Sequence, residues 1–318
     1  MVLAGLVLLP AALAEAAPNG PATWQSLAPI PQATFGEAAG TLSSGNIIVA
    51  GGVAWNGSSV EWLDSAEIYD PGSNTWTPTT DMPSPTALAG SAVSNGLFYV
   101  FGGGQGSETN ALQIYNPSNA SWTVGPSMPL SVQYVAGATL PNGDVMAIGG
   151  ETSSGDISNV EAYDPSSSSW SSLAPLPVAC QSVGAATGPN GDVYVVGGAC
   201  TKQGDSWSKQ LLLYNPTTNT WTAGVSMSKG RAWPAVAFGP KGKLYVTGGY
   251  HAKGTLKTVS IYRASDRTWS SGPSLPFAEY QQAAVADSSG VVVLGGCGGS
   301  LGTSTCPSNQ AILLPLSP

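Results

Sequence analysis

Charged side chains are scarce in this 318-residue chain. Asp, Glu, Lys and Arg make up 9% of its residues, against about 25% in average soluble domains. The polar surface must therefore come from Ser, Thr, Asn and Gln. Only 10 residues are basic and the formal net charge is −8. A nucleic-acid partner is not expected, because phosphate binding needs a basic patch.

Metal-binding residues and long apolar runs are also few. The chain has one histidine, His251, and its four cysteines form no C-x-x-C pair. Neither a metal nor a cofactor is therefore predicted. Beyond residue 17, no apolar run approaches the roughly 20 residues that a spanning helix needs. The sequence therefore predicts no membrane span.

The first 17 residues differ from the rest. An apolar run at residues 1–9 precedes Ala12-Leu13-Ala14, which has the A-x-A form of a signal-peptide cleavage site. We expect a signal peptide here, with a frayed N-terminal tail as the alternative. A signal peptide implies a secreted or periplasmic protein whose mature domain is residues 18–318. An even number of cysteines suits that oxidising setting.

A glycine pair occurs six times at nearly regular intervals. The first glycines of successive pairs are 47 to 51 residues apart, and a period near fifty residues indicates one repeated supersecondary unit. Each pair ends a short run of β-branched and aromatic residues, which is typical of a buried strand. The pairs are Gly51-Gly52, Gly102-Gly103, Gly149-Gly150, Gly197-Gly198, Gly248-Gly249 and Gly295-Gly296.

A second signature lies between successive glycine pairs. In five repeats a tyrosine precedes a tryptophan by seven residues, with turn-forming residues between them. The tyrosine is predicted to end one strand and the tryptophan to begin the next. The repeated tryptophans are interpreted as core residues. They are Trp76, Trp122, Trp170, Trp221 and Trp269, with Trp24 as the sixth member.

An Ala/Gly-rich strand and a short turn complete each repeat. Four antiparallel strands per repeat make one propeller blade. The last strand, at residues 310–315, puts Leu313 in the tyrosine position and has no tryptophan after it. The missing strand is found at residues 22–27. We predict an all-β, six-bladed β-propeller of four-stranded antiparallel blades, with its ring closed by the N-terminal strand.

The glycine pair, the tyrosine and the tryptophan at these offsets resemble kelch repeats, over residues 22–318. The kelch-type propeller of galactose oxidase is similar, but its copper site needs two histidines, and this chain has one. The chain also resembles N-acetylneuraminate epimerases, exported six-bladed kelch proteins that speed sugar anomerisation. Lys229-Gly230-Arg231-Ala232 carries that local match, which implies a catalytic role for Arg231.

The predicted topology pairs the four cysteines. Cys180 lies in the connection that enters the fourth blade, and Cys200 follows the glycine pair of that blade. Both connections emerge on one face. Cys297 and Cys306 share the loop after the last glycine pair. We therefore predict the disulfides Cys180–Cys200 and Cys297–Cys306.

Polar and aromatic residues near the glycine pairs form the candidate site. Counting back fourteen residues from each pair aligns Glu37 with Gln281, and seventeen residues back Arg231 is the lone charged residue. Carboxylates, an arginine and aromatic rings suit a sugar. The alternative is a set of solvated loop residues, with Arg231 paired to a glutamate. The set is Glu37, Gln133, Tyr134, Glu151, Gln181, Arg231, Trp233, Tyr250, His251, Glu279 and Tyr280.

Trp55 and Trp207 fall outside the repeat pattern, in loops that follow glycine pairs. Each is interpreted as either a ligand platform or a loop plug. The loops at residues 53–63, 201–209 and 250–257 are predicted to form the binding face.

We predict a secreted, monomeric propeller that binds a protein partner or a glycan. The ligand-binding residues would be Gln133, Tyr134, Arg231, Trp233, Tyr250, His251 and Glu279. The alternative is a cofactor-free sugar epimerase, mutarotase or glycoside-acting enzyme. In that enzyme Arg231 would act with Glu37, Glu151 or Glu279. A partly buried Arg–Glu pair at the channel mouth would favour catalysis, which is otherwise less expected than binding.

Overall fold

The computed structural model describes residues 22–200, 207–252, 254–299, 302–303 and 305–316. The predicted signal peptide and residues 201–206 of one predicted binding loop lie outside these ranges. Within them the regular structure consists of β-strands alone. No helix in these ranges has the length and apolar character needed to cross a membrane.

Twenty-four of the strands build six blades, each a four-stranded antiparallel sheet. The predicted six-bladed propeller is therefore confirmed. Blade 1 contains Ala38–Thr41, Ile47–Ala50, Ala66–Asp70 and Thr75–Pro78; blade 2 contains Gly90–Ser94, Leu97–Phe101, Leu112–Asn116 and Ser121–Val124; blade 3 contains Ala136–Thr139, Val145–Ile148, Val160–Asp164 and Ser169–Ser172. Blade 4 contains Gly184–Thr187, Val193–Val196, Leu211–Asn215 and Thr220–Ala223; blade 5 contains Ala235–Phe238, Lys243–Thr247, Val259–Arg263 and Thr268–Ser271; blade 6 contains Ala283–Ala286, Gly290–Leu294, Ala311–Pro315 and Gln25–Ser26.

Blade 6 joins the two ends of the described chain, as predicted. Its outer strand, Gln25–Ser26, pairs with Ala311–Pro315. One detail of the prediction was wrong, because Leu314 and not Leu313 takes the tyrosine position. Leu314 lies opposite Val291 and is buried, whereas Leu313 is one residue further along the strand and so faces the other side of the sheet.

The innermost strands are rich in Ala and Gly because six of them converge at the axis. Each first strand contacts the first strands of both neighbouring blades, and blade 1 also contacts blade 6. A methyl group on Gly137 would overlap the carbonyl oxygen of Ser91 in the neighbouring blade. The hydrophobic clusters lie between adjacent blades, as Ile148 of blade 3 and Val195 of blade 4 illustrate.

The repeated tryptophans are half-buried, which corrects their interpretation as core residues. Each ring packs on the edge of an inter-blade cluster, and in blade 3 the ring centroids of Trp170 and Tyr163 are 5.3 Å apart. Each indole N–H also donates a hydrogen bond to a backbone carbonyl that follows the preceding blade. The acceptors are Pro273 for Trp24, Ala28 for Trp76, Thr80 for Trp122, Pro126 for Trp170, Ala174 for Trp221 and Val225 for Trp269.

Trp170→Ala is expected to lower the free energy of unfolding by about 2–3 kcal/mol, below the roughly 3–5 kcal/mol typical of a fully buried Trp. Trp170→Phe keeps much of the ring contact and loses the hydrogen bond, so its expected cost is about 1 kcal/mol. Urea unfolding of both variants would measure the difference. Equal losses would show that the ring contact contributes nothing beyond the hydrogen bond.

The glycine pairs form the joints between blades. The N–H of the second glycine donates to a carbonyl on the next blade, and Gly150 N lies 2.9 Å from Cys180 O. A Cβ on Gly149 would overlap that same oxygen. Both glycines are therefore required by the close approach of two backbones. The six carbonyls belong to Thr34, Thr86, Val132, Cys180, Arg231 and Glu279.

Both predicted disulfides are present. Cys180–Cys200 links a two-stranded sheet formed by Cys180–Gln181 and Ala199–Cys200. Cys297–Cys306 closes the loop after the last glycine pair. Each disulfide fastens a connection on the same face of the propeller. Short hairpins on that face are Val53–Trp55 with Val60–Trp62, Glu151–Thr152 with Gly155–Asp156, and Tyr250–His251 with Gly254–Thr255.

Candidate binding site at the channel mouth

One end of the central channel is surrounded by a ring of six residues, one just before each innermost strand. All six have a left-handed backbone, with φ between 51° and 66°. Backbone hydrogen bonds connect five successive pairs, including Trp233 N to Ser182 O at 2.9 Å and Gly36 N to Gln281 O at 2.8 Å. We call this set the mouth ring. It consists of Gly36, Leu88, Tyr134, Ser182, Trp233 and Gln281.

The mouth ring corrects the alignment by fixed counting. In each blade the first residue of the innermost strand pairs with the last residue of the second strand. These two residues are twelve positions apart in the sequence in blades 1, 3, 4 and 5, but eleven apart in blades 2 and 6. The shorter hairpins shift those two blades by one residue. Gln281 is therefore equivalent to Trp233 and not to Glu37. Glu279 is equivalent to Arg231, so Arg231 is not the lone charged residue of its position.

A second ring lies one residue further into the channel. We call it the neck ring; it consists of Glu37, Ala89, Val135, Val183, Pro234 and Gln282. The two rings line a pocket of about 130 Å³ that opens to solvent. Pockets for drug-sized ligands are roughly 300–1,000 Å³, and a dry cavity of about 150 Å³ holds one benzene. The part of a ligand that enters the channel would therefore have about five or six non-hydrogen atoms, and a larger ligand would extend above the mouth.

Five aromatic rings cluster beside the cavity. Trp233 is central, and its ring centroid lies 5.7 to 6.4 Å from those of the other four rings. The rings meet tilted or edge-on, and all five residues are half-buried. This aromatic cluster consists of Tyr134, Trp207, Trp233, Tyr250 and Tyr280. Of the predicted site residues, the structure brings together Tyr134, Trp233, Tyr250 and Tyr280.

Trp207 belongs to the aromatic cluster although it was not among the predicted site residues. Its centroid lies 5.3 Å from that of Tyr250. Its position in a loop outside the repeat pattern was the one signal in the sequence that could have placed it here. Trp55 lies elsewhere, in a pocket lined by Cys306 and Pro307.

Polar residues of the predicted set lie around the aromatic cluster. Gln133 Nε2 donates to Glu151 Oε2 at 3.3 Å, and Gln181 Nε2 donates to Asp156 Oδ1 at 2.9 Å. Burial raises the pKa of Tyr134, and the charge of Glu151 raises it further. His251 follows Tyr250 in its hairpin, and its buried Nδ1 has no hydrogen-bond partner in the described structure. These half-buried side chains form a polar rim.

Arg231 does not reach the channel mouth. Its side chain is 1% exposed, and its guanidinium donates to Gly248 O at 2.8 Å and Thr258 O at 2.9 Å. Burial lowers its pKa to about 10. In the described ranges the ion pair is Arg263 with Asp266, so no glutamate pairs with Arg231. The sequence allowed an Arg231–Glu pair in either a structural or a catalytic role, and both predictions were wrong.

Glu37 and Glu279 are also buried, and the carboxyl of Glu37 lies against Gly295 at the joint between blades 6 and 1. Burial raises the pKa of Glu37 to about 8, and the charge of Glu279 contributes to the rise. Hydrogen bonds from the backbone N–H groups of Glu37 and Ala283 lower this pKa and so partly oppose the rise. Burial raises the pKa of Glu279 to about 7, and a hydrogen bond with Ser308 partly opposes this rise. These carboxyls interact with each other and not with Arg231. Of the three candidate glutamates, Glu151 alone lies at the rim.

Two models of a family described as Kelch motif match the chain. One covers residues 37–83, 85–129, 136–177 and 235–276, and the other covers 181–227. Together they take in more than half of the chain and fall on the first five blades.

Two similar proteins and one solved structure agree with these matches. Kelch-like protein terF of Aspergillus terreus is 30% identical over 167 residues, which are 47% of this chain and 36% of that protein. Beta-scruin of Limulus polyphemus is 32% identical over 141 residues, 41% of this chain and 15% of its own. The chain thus spans little more than a third of these relatives at most. The solved structure of YjhT superposes with a TM-score of 0.70 over 90% of this chain and 95% of its own, at 14% identity, which shows the shared fold.

Proposed function

Because the chain belongs to the kelch-repeat family, we propose that it is a binding module whose protein partner docks on the aromatic cluster at the channel mouth. Kelch propellers are commonly protein-binding. The observation that carries the proposal is the group of five half-buried rings on one face. Tyr and Trp are enriched among the residues that dominate binding energy in protein interfaces.

The arrangement supports binding better than sugar chemistry. An epimerase or glycosidase needs its acid and base within hydrogen-bond reach of the substrate. Arg231 and Glu279 are 1% and 4% exposed, and both carboxyl oxygens of Glu37 are buried, so none of these groups reaches a substrate at the mouth. The proposal therefore assigns no catalytic role to these residues.

A glycan is the second candidate ligand. It is favoured by one observation, the aromatic faces that lie next to the amide of Gln133 and the carboxylate of Glu151. Rings can cover the C–H face of a sugar while planar polar groups bind its hydroxyls. Such a glycan would lie across the rim and not enter the channel.

The proposal includes a location and a state of assembly. Two disulfides suit an oxidising compartment. We therefore propose a secreted or periplasmic protein that acts as a monomer, with residues 1–17 as its signal peptide and 18–318 as its mature domain.

Trp207→Ala is the variant that tests the site. Selection from displayed random peptides and a glycan array, with residues 18–318 as bait, would identify ligands of each class. Loss of a central aromatic contact typically costs about 2 kcal/mol, so we expect affinity to fall about thirtyfold.

Trp55→Ala is the matched control, because Trp55 follows a glycine pair on the same face but lies outside the aromatic cluster. Its affinity should stay within about twofold of wild type. Equal affinities for wild type and Trp207→Ala would refute the aromatic cluster as the binding site, and the array that yields ligands decides between peptide and glycan.

A further inference from the structure

A second pocket lies on the same face as the channel mouth, where blades 6 and 1 meet. Trp55, at the end of the hairpin strand Val53–Trp55, forms one side of it. Residues 306–310, at the end of the loop that the Cys297–Cys306 disulfide closes, form the other side. The volume of this pocket is about 320 Å³, and it opens to solvent. We call it the Trp55 pocket; none of its described lining residues belongs to the mouth ring, the neck ring or the aromatic cluster.

Backbone hydrogen bonds fix the loop side of the Trp55 pocket. Gly295 N donates to Gln310 O at 2.9 Å, and Ile30 N donates to Asn309 O at 3.0 Å. The side-chain amides of Asn309 and Gln310 have no hydrogen-bond partner among the described residues. Two carboxamides are therefore held at the pocket by their backbone and remain available to a ligand, which lowers the entropy lost on binding.

Trp55 gives the pocket an aromatic wall. A Cβ on Gly302 would lie 3.1 Å from Trp55 Cε2 and 3.2 Å from its Nε1, so the loop backbone packs directly against the indole. The indole is half-buried and also lines the pocket. An aromatic ring with a few polar groups beside it is the usual composition of a small-molecule site.

The size and charge of the lining narrow the class of ligand. No Asp, Glu, Lys or Arg is found among the described residues that line the Trp55 pocket. The net charge of the chain is −8, which disfavours an anion where no cation faces it. Since a dry cavity of about 150 Å³ holds one benzene, this volume accommodates about twelve non-hydrogen atoms, the size of one neutral hexose.

We propose that the Trp55 pocket binds one uncharged pyranose unit. The C–H face of the sugar packs on the indole of Trp55, and its hydroxyls bind the amides of Asn309 and Gln310. A sugar hydroxyl both donates and accepts, and a carboxamide offers both complementary groups. The open side of the pocket leaves room for the rest of a glycan. This inference goes beyond the proposed function, because it concerns a site separate from the aromatic cluster.

Saturation-transfer NMR with residues 18–318 would measure the affinity for single sugars. The probes are D-glucose, D-galactose and D-mannose, their methyl glycosides and their uronic acids. We expect at least one neutral sugar to bind, and its uronic acid to bind about fivefold more weakly or worse, because a carboxylate would lose water without gaining a cation. A methyl glycoside that binds as tightly as the free sugar identifies the end of a glycan as the source. Binding of the free sugar alone identifies a free monosaccharide.

Trp55→Ala tests the aromatic wall, and we expect it to lower the affinity for that sugar by about tenfold or more. Asn309→Ala removes one amide at an exposed position and should lower the affinity about fivefold. Trp62→Ala is the matched control, because Trp62 is a half-buried indole of the same hairpin that does not line the pocket. Its affinity should stay within about twofold of wild type, as expected for a residue without ligand contact.

Three results would overturn the inference. Absence of binding by every neutral sugar would show that the pocket holds no pyranose, and equal binding of the uronic acid would remove the selection for an uncharged ligand. Unchanged affinity in Trp55→Ala would place the sugar elsewhere. Peptides selected on the aromatic cluster can still depend on Trp207 in each case, so the proposed function would survive separately. A glycan from the array belongs to the Trp55 pocket if Trp55→Ala abolishes its binding, and to the aromatic cluster if Trp207→Ala does.

Discussion

Glu37→Gln is expected to stabilise the protein at pH 9 by roughly 3–5 kcal/mol relative to wild type. The folded-state pKa of Glu37 is about 8, against an ordinary value of 4.5. A difference of one in pKa corresponds to about 1.4 kcal/mol, so ionising the buried carboxyl costs up to about 5 kcal/mol. Glutamine is neutral at every pH and avoids this cost.

The direction of the pH dependence follows from proton binding. Between pH 4.5 and 8 the folded protein holds a proton on Glu37 that the unfolded chain releases, so wild-type stability falls as pH rises through this range. Glu279, with a pKa of about 7, acts on Glu37 and adds a smaller loss in the same direction. Urea unfolding from pH 4 to pH 9 would measure both effects.

Two results would check this prediction. The stability curves of Glu37→Gln and wild type should meet near pH 4 and separate as the pH rises above about 4.5, while Glu61→Gln, on an exposed hairpin, should follow the wild type throughout. Parallel curves for wild type and Glu37→Gln would contradict the burial of this carboxyl at the joint.

Gly149→Ala is expected to lower the free energy of unfolding by about 3 kcal/mol or more. Its Cβ would overlap Cys180 O, the carbonyl that accepts the N–H of Gly150, so blades 3 and 4 would have to separate locally. The left-handed backbone at Gly149, with φ of 58°, adds strain of about 1 kcal/mol. Overpacking of well-packed sites typically costs about 1–3 kcal/mol. Urea unfolding at a fixed pH would measure the loss.

Gly155→Ala is the matched control for that measurement. Gly155 also has a positive φ, of 106°, but a Cβ there meets no atom within 4 Å. It therefore isolates backbone strain from steric overlap. If the two variants lose equal stability, the close approach of blades at the glycine pair is not what requires glycine.

The fold was predictable because its determinants are local and repeated. A strand that ends in a glycine pair and a Tyr–Trp hairpin occur at one period, and each unit packs mainly on its neighbours. The same regularity predicted the two disulfides from the positions of Cys180 and Cys200 and of the second pair. Errors arose where the period varies. The shorter hairpins of blades 2 and 6 put Gln281 one position out in the sequence alignment, and Leu313 was likewise assigned one position away from the true tyrosine equivalent, Leu314.

The site was less predictable because side-chain direction is not periodic. Arg231 precedes Trp233 of the mouth ring by two residues, yet its side chain extends into the joint between blades and donates hydrogen bonds to two carbonyls there. Glu279 is buried in the equivalent joint of the next blade. Aromatic residues were predicted better, since Tyr134 and Trp233 occupy backbone positions that point into the mouth of any such ring.

The pairing of Gln25 with Leu313 also sets the order in which the molecule can assemble. Closing a loop of about 290 residues costs about 5 kcal/mol through the length-dependent part of its entropy, whereas hairpins within a blade close far smaller loops. Blades 1 to 5 can stack one by one as the chain emerges from its N-terminal end, but the final seam must wait for the last strand, Ala311–Pro315. Until then the nascent chain is an open arc with bare strands at both margins. The seam is thus the step at which self-association would compete with folding.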